Sequence, residues 1–281
     1  MLRVYRSNMI FAERRRVMEF ATNGVITRIY DVGASDKMLN IITEDRGRIG
    51  VMVKGGRSPA SKLRSISQLF TYANFEINQK GNMYWLRGGE VINPFYDLST
   101  DIVRVSLASY LCDLANELTD EGGEDDSIMR LLLNSLYLLG RGVKDQRLIK
   151  AVFEMRAASI SGYCPEISYC AYCKEPFADF TYLDVMGGKL ICTDCLAKKG
   201  NKKITVSKEF EDMPEASILC GLSPSALAAL RYIVTAPDSK IFSFELKDDD
   251  ETNELSKAAE QYILNHLERG FDSLEFYKSV K

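Results

Sequence analysis

The sequence predicts an α+β chain: an N-terminal five-stranded β-barrel of the OB-fold type, then an α-helical domain with an inserted four-cysteine zinc module. Three observations lead there. From Asn23 to Pro94, short runs rich in β-branched and aromatic residues are broken by glycine turns, and after Pro94 the apolar period changes to three and four residues. Later, Cys170-Ala171-Tyr172-Cys173 is followed after eighteen residues by Cys192-Thr193-Asp194-Cys195. The expected division is an extension over 1–19, a barrel over 20–94, a first helical part over 95–167, the zinc module over 168–200 and a second helical part over 201–281. A chain of 281 residues exceeds the usual single-domain size, so several units are expected.

The first nineteen residues carry Arg14, Arg15 and Arg16 beside Glu13 and Glu19 and lack a signal-peptide apolar region. A transit peptide and a nucleic-acid-binding arm are both readings of this stretch. Met18, placed just before the first strand, favours a translated upstream extension.

In the barrel segment, Val25, Thr27 and Ile29 alternate with Ile26, Arg28 and Tyr30, the period of a strand with one buried face. Asp31-Val32-Gly33 turns the chain. Further runs cover Lys37 to Thr43, Arg48 to Lys54 and Phe70 to Asn78, the last joined through Lys80-Gly81-Asn82 to Met83 to Arg87 as a hairpin. Five strands in so short a span suit a closed barrel, which leaves no exposed sheet edge.

Charge separates the same unit from the rest. Residues 1–94 hold fifteen Lys/Arg against eight Asp/Glu, whereas the remainder holds twenty-one against thirty-one. A basic unit joined to an acidic one implies a polyanion-binding face and a face for other partners. Lys37, Arg46, Arg48, Lys54, Arg57, Lys62 and Arg64 gather at the barrel turns, interleaved with Tyr30, Phe70, Tyr72, Phe75, Tyr84 and Trp85. Single-stranded nucleic acid needs cations for its phosphates and flat rings for its bases. Most of these rings are expected to fill the barrel core. Lys54-Gly55-Gly56-Arg57 lacks the spacing of a nucleotide-phosphate loop, so no ATP chemistry is assigned to it.

Beyond Asn93-Pro94, Ser99, Thr100 and Asp101 offer caps to a helix marked by Ile102, Val105, Leu107, Tyr110, Leu111, Leu114 and Leu118. A second helix starts near Ser127 and stops near Gly140, and a third covers about Gln146 to Ser161. Three helices in sequence imply a bundle. On the third, Arg147, Lys150 and Arg156 are expected to flank an apolar side, a place for an acidic peptide with a hydrophobic end.

Each C-x-x-C pair lets two sulfurs converge on one ion, and two pairs complete a tetrahedral shell of Cys170, Cys173, Cys192 and Cys195. The only histidine, His266, lies far downstream, so the site is expected to be closed by sulfur alone and to hold structural Zn2+. Lys174, Lys189, Lys198 and Lys199 are placed to offset the thiolate charge or to rim the site. Cys164 is a lesser candidate ligand, and Cys112 and Cys220 read as core thiols. Seven cysteines, an odd number with four in metal-like pairs, fit a reducing cytoplasm better than a disulfide framework. Downstream, Ser223-Pro224 opens a helix through Val234, and Leu255 to Leu267 marks another, ended by Gly270. No apolar run reaches the roughly 18 residues of a membrane span.

Taken together these stretches resemble the RecO family of bacterial recombination mediators. The resemblance is carried by Gly24-Val25-Ile26, Tyr30 with Gly33 to Lys37, Thr43 with Arg46-Gly47-Arg48, Lys54 to Arg57 with Ser61-Lys62, Phe153 to Arg156, Gly162 to Pro165, and Gly187-Gly188 before Cys192. It implies a barrel that binds single- and double-stranded DNA, annealing of complementary strands, and, with RecR, loading of RecA onto strands coated by single-strand-binding protein. The acidic C-terminal tail of that protein is expected on the helical domain. Carried over by position, Lys37, Lys54, Arg57 and Lys62 become DNA-contact candidates, joined by Arg48 and Arg64 from the basic cluster, with Arg156 proposed for the tail. No enzymatic motif is found, and a cytoplasmic, nucleoid-associated location is implied. Two other readings stay open on the residues alone: a redox-regulated chaperone that releases zinc, and an RNA-binding barrel with a zinc ribbon.

Overall fold

The computed structural model describes residues 18–176, 179–200 and 217–281. The expected extension falls outside these except for Met18 and Glu19, which open the first strand. That strand, β1 (Met18–Val32), is followed by β2 (Asp36–Thr43), β3 (Gly47–Val53), β4 (Tyr72–Lys80) and β5 (Met83–Asn93), closed in the order β1-β2-β3-β5-β4. This is the expected five-stranded barrel. β1 is long because it serves two neighbours: Met18 to Val25 pair with β4, and Gly24 to Val32 pair with β2. Gly24 belongs to both ladders, and a Cβ there would lie 2.7 Å from Ile41 Cγ2 and 2.8 Å from the Ile42 carbonyl oxygen. Only glycine lets the strand turn this corner. Ile26, Leu39, Ile41, Ile49, Val51, Val53, Phe75, Ile77 and Leu86 fill the interior, with Ile66 from the long β3–β4 connection added to them.

The barrel does not hang free of the helices. Val25, Ile42 and Phe70 point into the helical core rather than the barrel core. Thr27 Oγ1 donates to Asn116 Oδ1 at 2.8 Å in a buried contact, and Arg28 pairs with Asp113. The β2–β3 turn docks too: Arg48 N donates to the Asp120 carbonyl at 3.0 Å, and a Cβ on Gly47 would fall 2.1 Å from that oxygen.

A 3-10 turn (Tyr96–Thr100) leads to α1 (Ile102–Leu118), α2 (Ser127–Arg141) and α3 (Gln146–Ile160). Asp101 caps α1 by accepting from Val103 N at 2.8 Å, and Asp145 caps α3 by accepting from Arg147 N at 2.7 Å. After the module come α5 (Pro224–Thr235), α6 (Asp249–His266) and α7 (Asp272–Val280). α3 is the central helix, packed by α1, α2, α5 and α6.

That position corrects the expectation for Lys150, which does not flank a groove on α3 but is turned inward. Arg147 is held by Asp145, Asp249 and Asn253. Lys150 is buried, its Nζ 2.9 Å from Glu154 Oε1 and 2.8 Å from Glu260 Oε2. Arg156 donates to the carbonyls of Ile233 and Val234 and pairs with Asp238 at 2.6 Å, closing the end of α5. Of the three cations, Lys150 therefore serves the interior, whereas Arg147 and Arg156 are half-buried at the edges of the helix and paired with exposed carboxylates.

The module is a four-stranded sheet, ordered β6 (Glu166–Cys170), β8 (Lys189–Cys192), β7 (Thr181–Asp184), β9 (Leu219–Leu222), with α4 (Thr193–Gly200) after β8. The β7–β8 hairpin turns through Gly187-Gly188, and neither β9 nor α7 was expected from the sequence. Leu183, Val185, Leu190, Cys220 and Leu222 belong to the helical core, so the module shares its interior with the helices. Cys112 and Cys220 are buried as read from the sequence.

Lys150, Glu154, Glu260 and Lys278 form a charge cluster that ties α3 to α6 and α7, and the Tyr110 hydroxyl of α1 donates to Glu154 Oε1 at 2.8 Å. Removing one partner strands a buried charge, so Lys150→Met is expected to cost about 3–5 kcal/mol in denaturant unfolding. A loss below about 1 kcal/mol would contradict the cluster's role. Complete burial pushes the Glu154 carboxyl from 4.5 up to about 7, against Lys150 and the Tyr110 hydroxyl, which favour the charged form. A carboxyl raised on folding stabilises the fold below its unfolded pKa, and the gain is lost as pH rises through the folded one. The parent is therefore expected to lose stability relative to Glu154→Gln between about pH 4.5 and 7. Parallel stability–pH curves for the two proteins would contradict this.

Candidate functional site

At one mouth of the barrel the β1–β2 turn is stitched to the chain leaving β3. Gly55 N donates to Asp36 Oδ1 at 2.8 Å, and Arg57 N donates to the Ser35 carbonyl at 2.9 Å. Lys37 stands opposite Val53 across β2 and β3, one residue from Lys54. The backbones of Lys37, Lys54 and Arg57 are therefore neighbours at this mouth, although they are separated in sequence. Asp31 and Asp36 share this mouth. The Gly55 N–H, then the Ser35 hydroxyl, hold Asp36 below the usual carboxylate range. Arg57 lies 3.4 Å from Asp31, with both side chains largely exposed. Such a pair is worth little in water, and a phosphate can replace the carboxylate. Lys62 and Arg64 are exposed on the β3–β4 connection that starts from this mouth.

Arg48 is not brought to this group. It stands opposite Ile42, five residues along β2 from Lys37, which is roughly 16 Å of strand. There its guanidinium donates to the Asn116 carbonyl at 2.8 Å and faces Glu121, so it serves the junction with the helices. Arg46 rides over the Phe20 ring at 3.9 Å at that same end.

The aromatics are sorted by the barrel wall. Phe75 is in the barrel core, Phe70 in the helical core, Tyr72 against the helical core, and Tyr84 against the barrel core beside Phe20. Tyr30 is 43% exposed, and Trp85 is half-buried outside both cores.

The cysteine quartet assembles as the spacing requires. The four Sγ atoms of Cys170, Cys173, Cys192 and Cys195 lie within 4.8 Å of one another, and Cys173 and Cys192 are 3.8 Å apart. A tetrahedral thiolate shell with metal–sulfur bonds of about 2.3 Å has edges of about 3.8 Å, so the set fits such an ion and is compatible with zinc. Cys170 and Cys195 are buried, Cys192 is intermediate and Cys173 exposed. Backbone donors aim at the sulfurs: Cys192 N reaches Cys170 Sγ and Cys195 N reaches Cys192 Sγ, each at 3.4 Å. Burial works to raise the Cys170 thiol, but the N–H groups of Cys192, Cys173 and Tyr172 outweigh it and bring it down to about 7. Burial pushes the Cys192 and Cys195 thiols the other way, so a bound cation is what would hold all four sulfurs as thiolates.

Cys164 stands outside the cluster. His266 is engaged elsewhere, its Nδ1 2.9 Å from the Tyr262 carbonyl oxygen. Lys198 lines a depression beside Cys173, Cys192 and Cys195, and Lys174 lies over the Tyr169 ring at 5.0 Å. The Lys199 side chain is outside the described residues. No described helix is long and apolar enough to cross a membrane.

Residues 18–95 match the family model for the N terminal part of recombination protein O, and residues 99–211 match that for its C terminal part. DNA repair protein RecO of Acetivibrio thermocellus is 30% identical over 260 residues, covering 92% of this chain and 96% of that protein. RecO of Clostridium acetobutylicum is 26% identical over 262 residues, covering 93% and 98%, and RecO of Alkaliphilus metalliredigens is 28% identical over 264 residues, covering 94% and 100%.

Replacing Cys170 by serine is expected to abolish stoichiometric metal and lower the melting temperature, as read by elemental analysis and a thermal melt. A metal-free variant that melts with the parent would contradict a structural role for the quartet.

Proposed function

The chain belongs to the RecO family of DNA repair proteins, and on that premise we propose that it is a non-enzymatic recombination mediator of the bacterial cytoplasm and nucleoid. In this reading it binds single- and double-stranded DNA through the barrel and anneals complementary strands. With RecR, it helps load RecA onto strands coated by single-strand-binding protein.

The observation that carries the reading is the placement of Lys37, Lys54 and Arg57 at one barrel mouth by the β2–β3 register and the hydrogen bonds of the β1–β2 turn. Cations gathered by tertiary structure at a turn-rich mouth neutralise phosphates without regard to sequence, as a mediator acting on any broken DNA requires. Lys62 and Arg64 extend the set along the β3–β4 connection, and Arg48 leaves it for the junction. Annealing needs no bond to be made or broken in DNA, only screening of two strands' phosphates while bases find partners.

The helical domain is assigned the acidic tail of single-strand-binding protein, with Arg156 as the candidate contact. The Asp238 carboxylate now beside that guanidinium would have to yield to the peptide's carboxylate. The quartet is assigned structural Zn2+. A redox chaperone needs accessible thiolates, and two of the four, Cys170 and Cys195, are buried, although Cys173 is exposed.

The Lys54→Ala/Arg57→Ala double variant is expected to weaken DNA binding and to flatten the log–log salt dependence of affinity by roughly 0.7 to 0.9 per lost phosphate contact. It should also slow annealing of complementary oligonucleotides, naked or coated by single-strand-binding protein. An unchanged slope would move the DNA off this mouth.

A further inference from the structure

The outer wall of the barrel carries a row of side chains that the barrel interior does not use. Tyr30 stands opposite Met38 across β1 and β2, Met38 opposite Met52 across β2 and β3, and Met52 opposite Trp85 across β3 and β5. Residues directly opposed in neighbouring strands share a face. Leu39, Val51 and Val53, next to them along the strands, point into the barrel. This row therefore points outward, and each of its members is exposed or half-buried. Four strands about 4.8 Å apart give the row a length of about 14 Å, room for two or three bases.

Its surroundings carry the complementary charge. Lys54 lies two residues beyond Met52, on the same face, and Lys54 and Lys80 frame a depression of about 400 Å³ beside Trp85. Asn78, opposite Trp85, lines this depression. Aromatic π faces, two polarisable thioethers and two lysines are what unpaired bases and their phosphates use. A duplex, whose bases are already stacked, can engage the lysines but not the rings.

We infer that Tyr30, Met38, Met52 and Trp85 form a stacking lane for the unpaired bases of single-stranded DNA, with Lys54 and Lys80 holding the flanking phosphates. The inference rests on the proposed DNA-binding reading and deepens it. The mouth cations bind either form of DNA, and the lane distinguishes the single strand.

Trp85 is the only tryptophan of the chain, so its fluorescence reports on the lane directly. A short oligothymidylate is expected to quench it in the parent protein, and a duplex hairpin without overhangs is expected to leave it nearly unchanged. Trp85→Leu is expected to weaken oligothymidylate binding roughly tenfold while sparing the hairpin, and Trp85→Phe to recover most of the loss. Thermal melts of the variants check that each is folded; should the leucine variant unfold, the parent's quenching and the phenylalanine variant still decide. Tight oligothymidylate binding with silent fluorescence, or an equal loss for both DNA forms, overturns the lane and leaves the proposed function standing. Failure of the parent to bind either DNA removes the proposed function and the lane with it.

Discussion

Closure of the barrel by one long strand is the constraint on which the rest of the molecule depends. β1 completes the sheet only because its first half pairs with β4 and its second half with β2, and Gly24 lets it pass between the two ladders. From that closure follows the division of every other strand residue into inside and outside. The mouth where Lys37, Lys54 and Arg57 meet follows from it, and so does the outward row that ends at Trp85. The same strand turns Val25 into the helical core, so barrel and helices are packed by common residues.

Stability and function are divided between different groups of charges. The cluster has buried Lys150 and Glu154 at its centre, reaches the surface at Lys278, and links four helices. Burying charge is costly in itself, and such a cluster is retained only while each member keeps its partner. The quartet is placed to play a similar part in the module. Its sheet feeds Leu183, Leu190 and Leu222 into the helical core, and an ion held by Cys170, Cys173, Cys192 and Cys195 together would have no coordination position left for a substrate. The cations at the barrel mouth are different. Lys54 and Arg57 are exposed and Lys37 is half-buried, and the Arg57 pair is one that a phosphate can replace, which suits the proposed surface for DNA.

Much of this was legible in the sequence, because long periodic runs and ligand spacing are local properties. The alternation after Asn23, the leucine period after Asp101 and the paired C-x-x-C motifs each named an element that the structure contains. What stayed hidden depends on distant pairing. Leu219–Leu222 is too short to show a period and becomes a strand only beside β7. Asp272–Val280 offers few apolar positions and is held by α1. Lys150 and Arg156 look like surface cations until α5 and α6 close over them. Arg48 shares a basic run with Lys54, yet the length of β3 sends them to opposite ends of the barrel. Trp85 joins Met52 only through the parallel β3–β5 pairing, which no local pattern announces.

The central claim is that DNA meets the barrel and not the metal module. Lysine-modification footprinting with and without a saturating oligonucleotide tests it most directly, because both candidate faces carry lysines. Lys37, Lys54 and Lys80 are expected to lose reactivity when DNA is bound, while Lys174, Lys189 and Lys198 keep theirs. Protection confined to the three module lysines, with the barrel unchanged, would contradict the account.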